Sequence, residues 1–349
     1  MKKAMKKLMA ALLAVAMVCA MAIPAFAEGA GTAAAGTTYT ITINNPVGTY
    51  KAYQIFSGDL DGDVLSNIDW GIGVTEAGKA ELGSAKGRAD TLTNEASVKA
   101  FATEVSRYLG TSSGSYADGQ ITGLATGYYL IKNDTVGDNE TYTSFILKVV
   151  KNVTVSPKGD KPTLEKKVMD ANDTEGSTSG WQDSADHDIG DDVPFKLTAK
   201  IASNFDDYST YKFVFHDEQS AGLTFKPETV EVTVGGTKLN PADYTVETNL
   251  TDGCTFHVVI NDLKKISSAA ANVDVVVAYK SKLNENAEIG SKGNPNEAYL
   301  GYSNNPHNSN DTTTTPKDKV TVFTFKVVAN KINGTDDKPL KGAAFALYK

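Results

Sequence analysis

Tyr211-Lys212-Phe213-Val214-Phe215-His216-Asp217 puts an aromatic residue at every second position and ends the series on a carboxylate. Side chains along a strand switch faces at each step, so Tyr211, Phe213, Phe215 and Asp217 look the same way. Three other stretches repeat the device. Leu164, Lys166 and Val168 share a face, as do Ala298, Leu300, Tyr302 and Asn304, and Phe323, Phe325, Val327, Ala329 and Lys331. A lone charge on an apolar face is costly to bury unless it is paired or chemically consumed. The pattern therefore predicts strands whose Lys166, Asp217 and Asn304 meet in one core and react. Lys167, Glu218 and Asn305 would take these places if a strand faced the other way; the flanking apolar residues favour the first set.

Outward from these strands, residues 161–316 alternate short β-rich runs with Gly, Asn, Asp and Pro turns. Phe195 to Ile201, Val230 to Val234, Phe256 to Ile260 and Val273 to Tyr279 are examples. The class is mainly β, in tandem immunoglobulin-like β-sandwich domains. The preceding domain has strands at Tyr39 to Ile43, Tyr128 to Lys132 and Ser144 to Val150. It also has one helix, on which Val98, Phe101, Val105 and Leu109 recur between the cap Asn94 and the stop Gly110. Expected boundaries are 1–27, 28–157, 158–319 and 320–349. The last piece would be the truncated start of a third domain, because one or two strands cannot close a sandwich.

The first 27 residues are an export signal. Lys2, Lys3, Lys6 and Lys7 precede an apolar run from Leu8 to about Ile23, and Ala25-Phe26-Ala27 precedes a cleavage point between Ala27 and Glu28. Removing four lysines takes the net charge from -8 to -12. With Arg88 and Arg107 its only arginines, the chain is a poor ligand for nucleic acid or anionic membrane. Cys19 leaves with the signal, so Cys254 has no intrachain disulfide partner. A different covalent cross-link would supply the toughness that export demands.

Other chemistry is thin. Asp59, Asp61 and Asp63 alternate around Gly62 without the rest of a calcium loop, which favours a polar hairpin turn. His187, His216, His257 and His307 lack metal-ligand spacing, and no Cys or acid complements them; no metal or other cofactor is expected. Neither a phosphate loop nor a nucleophile elbow is present, so an exported hydrolase is the least supported class. Lys51 has no partner legible in the sequence.

The segments Tyr50-Lys51-Ala52-Tyr53-Gln54-Ile55-Phe56-Ser57-Gly58, Val153-Thr154-Val155-Ser156-Pro157-Lys158, Tyr302-Ser303-Asn304-Asn305-Pro306 and Leu340 to Lys349 resemble those of sortase-assembled backbone pilins of Gram-positive bacteria. The resemblance covers essentially the whole mature chain. It implies a secreted, cell-wall-attached fimbrial subunit, polymerised by a pilus-specific sortase into a covalent homopolymer, with ancillary pilins and host surface ligands as further partners. It also implies that Lys158 is the inter-subunit nucleophile, with Ser156 where the family motif has Tyr. Lys166 and Asn304 match the family's intramolecular isopeptide pair, promoted by Asp217. Lys331 resembles the first-strand lysine of a collagen-adhesin B-type domain whose partner would lie beyond Lys349. The alternative is a ligand-binding adhesin or tip pilin of the same domain family, which has no need of Lys158.

The cross-linking chemistry follows from burial. Apolar surroundings lower a lysine pKa and yield the nucleophilic amine, and a protonated carboxyl can polarise an amide carbonyl. Attack on the Asn side chain then expels ammonia. Fixed alignment supplies roughly 7–11 kcal/mol of the barrier. Such a reaction happens once per molecule, so the protein is not an enzyme in the turnover sense.

Overall fold

The computed structural model describes residues 36–62, 64–157, 160–172, 176–342 and 344–346. The predicted cleavage residues Ala27 and Glu28, and Lys158, lie outside them. Among the described residues, no helix is long and apolar enough to cross a membrane. Internal contacts divide the chain into two units. The first holds the residues up to Lys161 with 202–211 and 303–313, and the second holds 162–201, 212–302 and 314–349.

The strands of the first unit are β1 (Tyr39–Ile43), β2 (Thr49–Asp61), β3 (Val64–Trp70), β4 (Ser115–Ala117), β5 (Gln120–Leu124), β6 (Gly127–Thr135), β7 (Ser144–Val149) and β8 (Val153–Val155). They form two sheets, β4-β5-β1-β8 and β3-β2-β6-β7. The second sheet is buried on both faces, and β6 shows why. Its Tyr128-Tyr129-Leu130-Ile131 run is apolar without alternation, as a strand covered on both sides must be. Tyr129 and Ile131 join a core with Ile41, Tyr50, Phe145 and Val149. Tyr128 and Leu130 join another, closed by three helices. β2 and β3 form a hairpin that brings Asp61 opposite Val64, with Gly62 at φ +61°, where a side chain would be strained.

Among the described residues, the α-helices are α1 (Glu76–Leu82), α2 (Ala85–Thr91) and α3 (Glu95–Val105). The sequence announces only α3, on which Phe101 and Val105 are buried. A reciprocal capping box between Asn94 and Ser97 starts it, and it ends before Gly110 in a turn of 3₁₀ helix at Ser106–Tyr108. α1 and α2 span two turns each, too short for a periodic signal. Their legible marks are the N-caps Thr75 and Ser84, whose hydroxyls accept from the Gly78 and Gly87 amides.

The second unit is a two-sheet sandwich. One sheet has the order β10-β9-β12-β18-β14-β15, from β9 (Thr163–Asn172), β10 (Ser177–Gln182), β12 (Asp192–Lys200), β14 (Leu223–Val234), β15 (Thr237–Lys238) and β18 (Asp274–Leu283). The other has the order β11-β21-β19-β13-β17-β16, from β11 (Ser184–Asp186), β13 (Phe213–Gln219), β16 (Thr245–Glu247), β17 (Phe256–Ile260), β19 (Asn294–Ser303) and β21 (Asp318–Phe323). The short β20 (Thr312–Thr314) pairs with β19. Alternation is regular: Val193, Phe195, Leu197 and Ala199 are buried along β12, and Phe213, Phe215 and Asp217 along β13.

Two expected boundaries move. The second sandwich is not one continuous stretch, because 202–211 and 303–313 group with the first unit. The start of a third domain at residue 320 falls inside β21, which pairs antiparallel with β19 and parallel with β11. Val320 and Val322 are buried there. The expected strand face from Phe323 to Lys331 ends at its first residue, for β21 stops at Phe323 and Phe325, Val327 and Lys331 are exposed.

Candidate functional site

Four strands, β9, β13, β18 and β19, deliver a cluster of buried polar side chains in the second unit. Lys166 is the fourth residue of β9 and follows its apolar alternation inward, so its whole side chain is out of solvent. Its neighbour Lys167 points the other way and pairs with Asp183 at 2.6 Å. Asp217 is equally buried on β13 and forms an ion pair with Lys166 Nζ. Glu218 faces out to Lys317 at 2.7 Å.

A tyrosine hydroxyl joins this pair to an amide. Tyr279 on β18 donates to Asp217 Oδ2 at 2.7 Å and accepts from Lys166 Nζ at 2.9 Å and from Asn296 Nδ2 at 3.0 Å. One donor and two acceptor sites exhaust a phenol. Gln219 Nε2 donates to Asp217 Oδ1 at 3.2 Å and is itself fixed by Ser281 Oγ at 3.0 Å. Asn296 is fully buried on β19, and its Oδ1 has no hydrogen-bond partner among the described residues. The Lys166 backbone amide donates to Asp318 Oδ2 at 2.7 Å, tying β9 to β21.

The electrostatics favour a reactive amine. Burial pushes the Lys166 pKa below its ordinary value, opposed by the charges of Asp217 and Asp318. Burial, with the Asp217 charge beside it, holds the Tyr279 phenol well above its ordinary value, so it stays protonated and keeps donating. A buried ion pair walled by the Phe195 and Tyr279 rings gains little over an apolar filling. Proton transfer from Lys166 to Asp217 would leave two neutral groups and a free lone pair on Nζ, which the Tyr279 hydroxyl links to the Asn296 amide nitrogen.

Asn304, the predicted partner, is elsewhere. It lies eight residues beyond Asn296, about 26 Å of extended chain at 3.3 Å per residue. Its Nδ2 donates to the Glu140 carbonyl at 3.1 Å and its own carbonyl accepts from the Tyr142 amide at 2.8 Å. Its Oδ1, like that of Asn296, is buried without a partner among the described residues. Asn305 has a turn role, with Nδ2 on Asp311 Oδ2 at 2.7 Å. The signal for Asn296 was available: it shares the alternating face of Ala298, Leu300, Tyr302 and Asn304, at the opposite end. Register decides between the ends. Asp217 lies opposite Ala298 and Gln219 opposite Asn296, so the near end of that face meets the acid.

The remaining predicted positions are simpler. Lys51 pairs with Asp134 at 2.8 Å on the surface, its pKa raised by that partner. Lys161, near Lys158 in sequence, pairs with Glu140 at 2.9 Å. Lys331 is exposed, and its carbonyl accepts from the Leu340 amide at 3.0 Å.

The sequence model of the Gram-positive pilin backbone subunit 2, Cna-B-like domain matches residues 189–306. The trypsin-resistant surface T6 protein of Streptococcus pyogenes serotype M6 is 27% identical over 175 residues, 46% of this chain and 33% of that protein. The chain thus spans about a third of that curated relative. Among solved structures, the T6 backbone pilin of S. pyogenes, described as a modular three-domain protein, superposes with a TM-score of 0.55 at 19% identity. The match covers 87% of this chain and 67% of the other, and shows a common fold. The full-length major pilin SpaD of Corynebacterium diphtheriae gives 0.48 at 19% identity over 87% and 70%.

Proposed function

We propose that this chain, which carries a Gram-positive pilin backbone domain over residues 189–306, is a structural subunit of a covalent cell-surface pilus. Its second sandwich is locked by a self-formed isopeptide bond between Lys166 and Asn296, with Asp217 as the proton relay. The observation that carries this reading is the buried Tyr279 hydroxyl, which holds the Lys166 amine and the Asn296 amide side by side while donating to Asp217.

The steps balance. Asp217 takes a proton from the Lys166 ammonium, and the neutral Nζ attacks Asn296 Cγ. The proton on Asp217 passes through the carbonyl oxygen to the leaving nitrogen, and Asp217 then takes the second proton from Nζ as the amide forms. Ammonia departs, either carrying that proton away as ammonium or leaving Asp217 protonated. Tyr279 fixes the approach, and Gln219 steadies the carboxylate from its other oxygen. Burial excludes competing water, and alignment replaces an external catalyst. No turnover follows, since nucleophile and electrophile are both consumed.

Polymerisation would use a second lysine. Lys158 follows β8 and Pro157, and would attack a thioester held by the sortase on another subunit's C-terminal segment. Export and attachment at the cell surface belong to the same reading.

Intact mass of the purified chain tests the internal bond. Wild type is expected to be lighter than its sequence by one ammonia, and Asn296→Ala and Asp217→Ala to have full mass, while Asn304→Ala keeps the deficit. A full-mass wild type overturns the bond. A deficit that survives Asn296→Ala and vanishes in Asn304→Ala returns the partner to Asn304.

A further inference from the structure

On the outer side of the strand that carries Asp217, four potential metal ligands converge. His216 on β13 and His257 on β17 are directly opposite in the antiparallel register, so both rings rise from the same face, away from Phe215 and Asp217. The loop before β17 adds Asp252 and Cys254. Ligand atoms of all four lie within 4.8 Å of one another. Asp252 Oδ2 is 2.9 Å from His257 Nε2 and 3.5 Å from His216 Nδ1, and Cys254 Sγ is 3.9 Å from His216 Nδ1. We propose that His216, Asp252, Cys254 and His257 form a zinc-binding site that pins the 252–254 loop to β13 and β17.

The distances suit that ion. Tetrahedral zinc with bonds of about 2.0–2.3 Å sets its ligand atoms roughly 3.3–3.8 Å apart, and the cluster brackets this spacing. The charges suit it as well. Zinc displaces the Cys254 thiol proton to solvent, and the thiolate with the Asp252 carboxylate neutralises a divalent cation, leaving two neutral imidazoles to complete the shell. Imidazole and thiolate together favour zinc over calcium or magnesium, which seek oxygen.

Outer contacts orient the ligands. Glu247 Oε2 lies 3.5 Å from His257 Nδ1, which frees Nε2 for metal. Tyr299 stacks on the His216 ring at 4.4 Å between centroids, and its hydroxyl is 3.6 Å from Cys254 Sγ, placed to donate to a thiolate. Gly301 leaves room for the ring, since a Cβ there would meet His216 Nε2 at 3.2 Å. Asp252 is 38% exposed and provides the way in, while the imidazoles are largely covered. Sequence spacing hid the site, because His216 and Cys254 are 38 residues apart and only strand pairing unites them. The expectation that no Cys or acid complements these histidines is corrected here.

Cobalt titration of the reduced, metal-free mature chain tests the proposal. One equivalent should saturate a thiolate-to-cobalt charge-transfer band together with the intense visible bands of tetrahedral cobalt, and zinc should displace both. Cys254→Ser should lose the charge-transfer band, and His257→Ala should weaken zinc binding by roughly tenfold or more, whereas His307→Ala should do neither. Alkylation of Cys254 in the unmutated chain provides a readout that needs no variant: zinc should slow it by about tenfold or more. Absence of a saturable band, equal zinc affinity in wild type and His257→Ala, or alkylation indifferent to zinc would overturn the site.

Discussion

Tyr279 is the residue on which the buried cluster turns, because its hydroxyl touches the amine, the acid and the amide. Tyr279→Phe preserves the ring that packs on Phe195 and Phe256 while deleting that bridge. It also leaves the Asn296 amide short of its partner, at a cost of about 1–3 kcal/mol. The expected outcome is a folded chain that closes the bond slowly, seen by mass spectrometry as a mixture of full-mass and ammonia-depleted protein after expression. Complete closure in the variant would reduce Tyr279 to packing. A titratable residue of the first unit gives a second prediction. Burial holds the His307 imidazole at about 4, below its ordinary 6.5, and its Nε2 shares a hydrogen with Ser144 Oγ at 2.7 Å. The unfolded chain therefore binds the extra proton first as pH falls. Stability of the first unit is fully available above about pH 6.5, declines as pH falls and levels off near pH 4. His307→Gln should flatten that slope, as thermal melts across the interval would show.

At the scale of elements, a Lys166–Asn296 bond would staple β9 of one sheet to β19 of the other. By analogy with a disulfide closing a loop of this size, the constraint on the unfolded chain is worth about 4–5 kcal/mol. Asn296→Ala is the informative variant, because it removes the electrophile and leaves the Lys166–Asp217 pair whole. Lys166→Ala would strand a buried carboxylate, a penalty of similar size with another origin. We expect Asn296→Ala to admit trypsin at lysines of β12 and β18, such as Lys196 and Lys280, under conditions that wild type survives. Equal digestion rates would show that the bond does not govern the resistance of this unit.

Over the whole molecule, internal bond and polymer linkage should separate cleanly. If the proposed sortase linkage holds, then in cells that express this protein together with a pilus sortase, Lys158→Arg keeps the charge and removes the nucleophile, since a guanidinium stays protonated. The high-mass ladder on denaturing gels should vanish while the ammonia deficit persists; a surviving ladder would move the linkage to another lysine, Lys161 first. The segment after β21 makes a different prediction. Phe325, Val327, Val328, Ile332, Leu340 and Phe345 are exposed, an apolar concentration unusual on an isolated surface. A chain ended at Thr324 keeps β21 intact, so it should self-associate less in sedimentation experiments without losing thermal stability of the second unit.

The strand faces were written in the sequence, since alternation is a local property and fixes which side each residue takes once a strand forms. Lys166 over Lys167 and Asp217 over Glu218 were legible for that reason. The helix at Glu95–Val105 was legible through its period and its cap, whereas two seven-residue helices fell below the length at which a period exists. Pairing register is not local. It decided that Asp217 faces the Asn296 end of β19 rather than the Asn304 end, and that His216 stands beside His257 with Cys254 and Asp252 in reach. It also placed Val320 and Val322 in the second sandwich instead of a third domain. These are choices among strand partners distant in sequence, settled by how two sheets fill one core, and no stretch of the chain carries them alone.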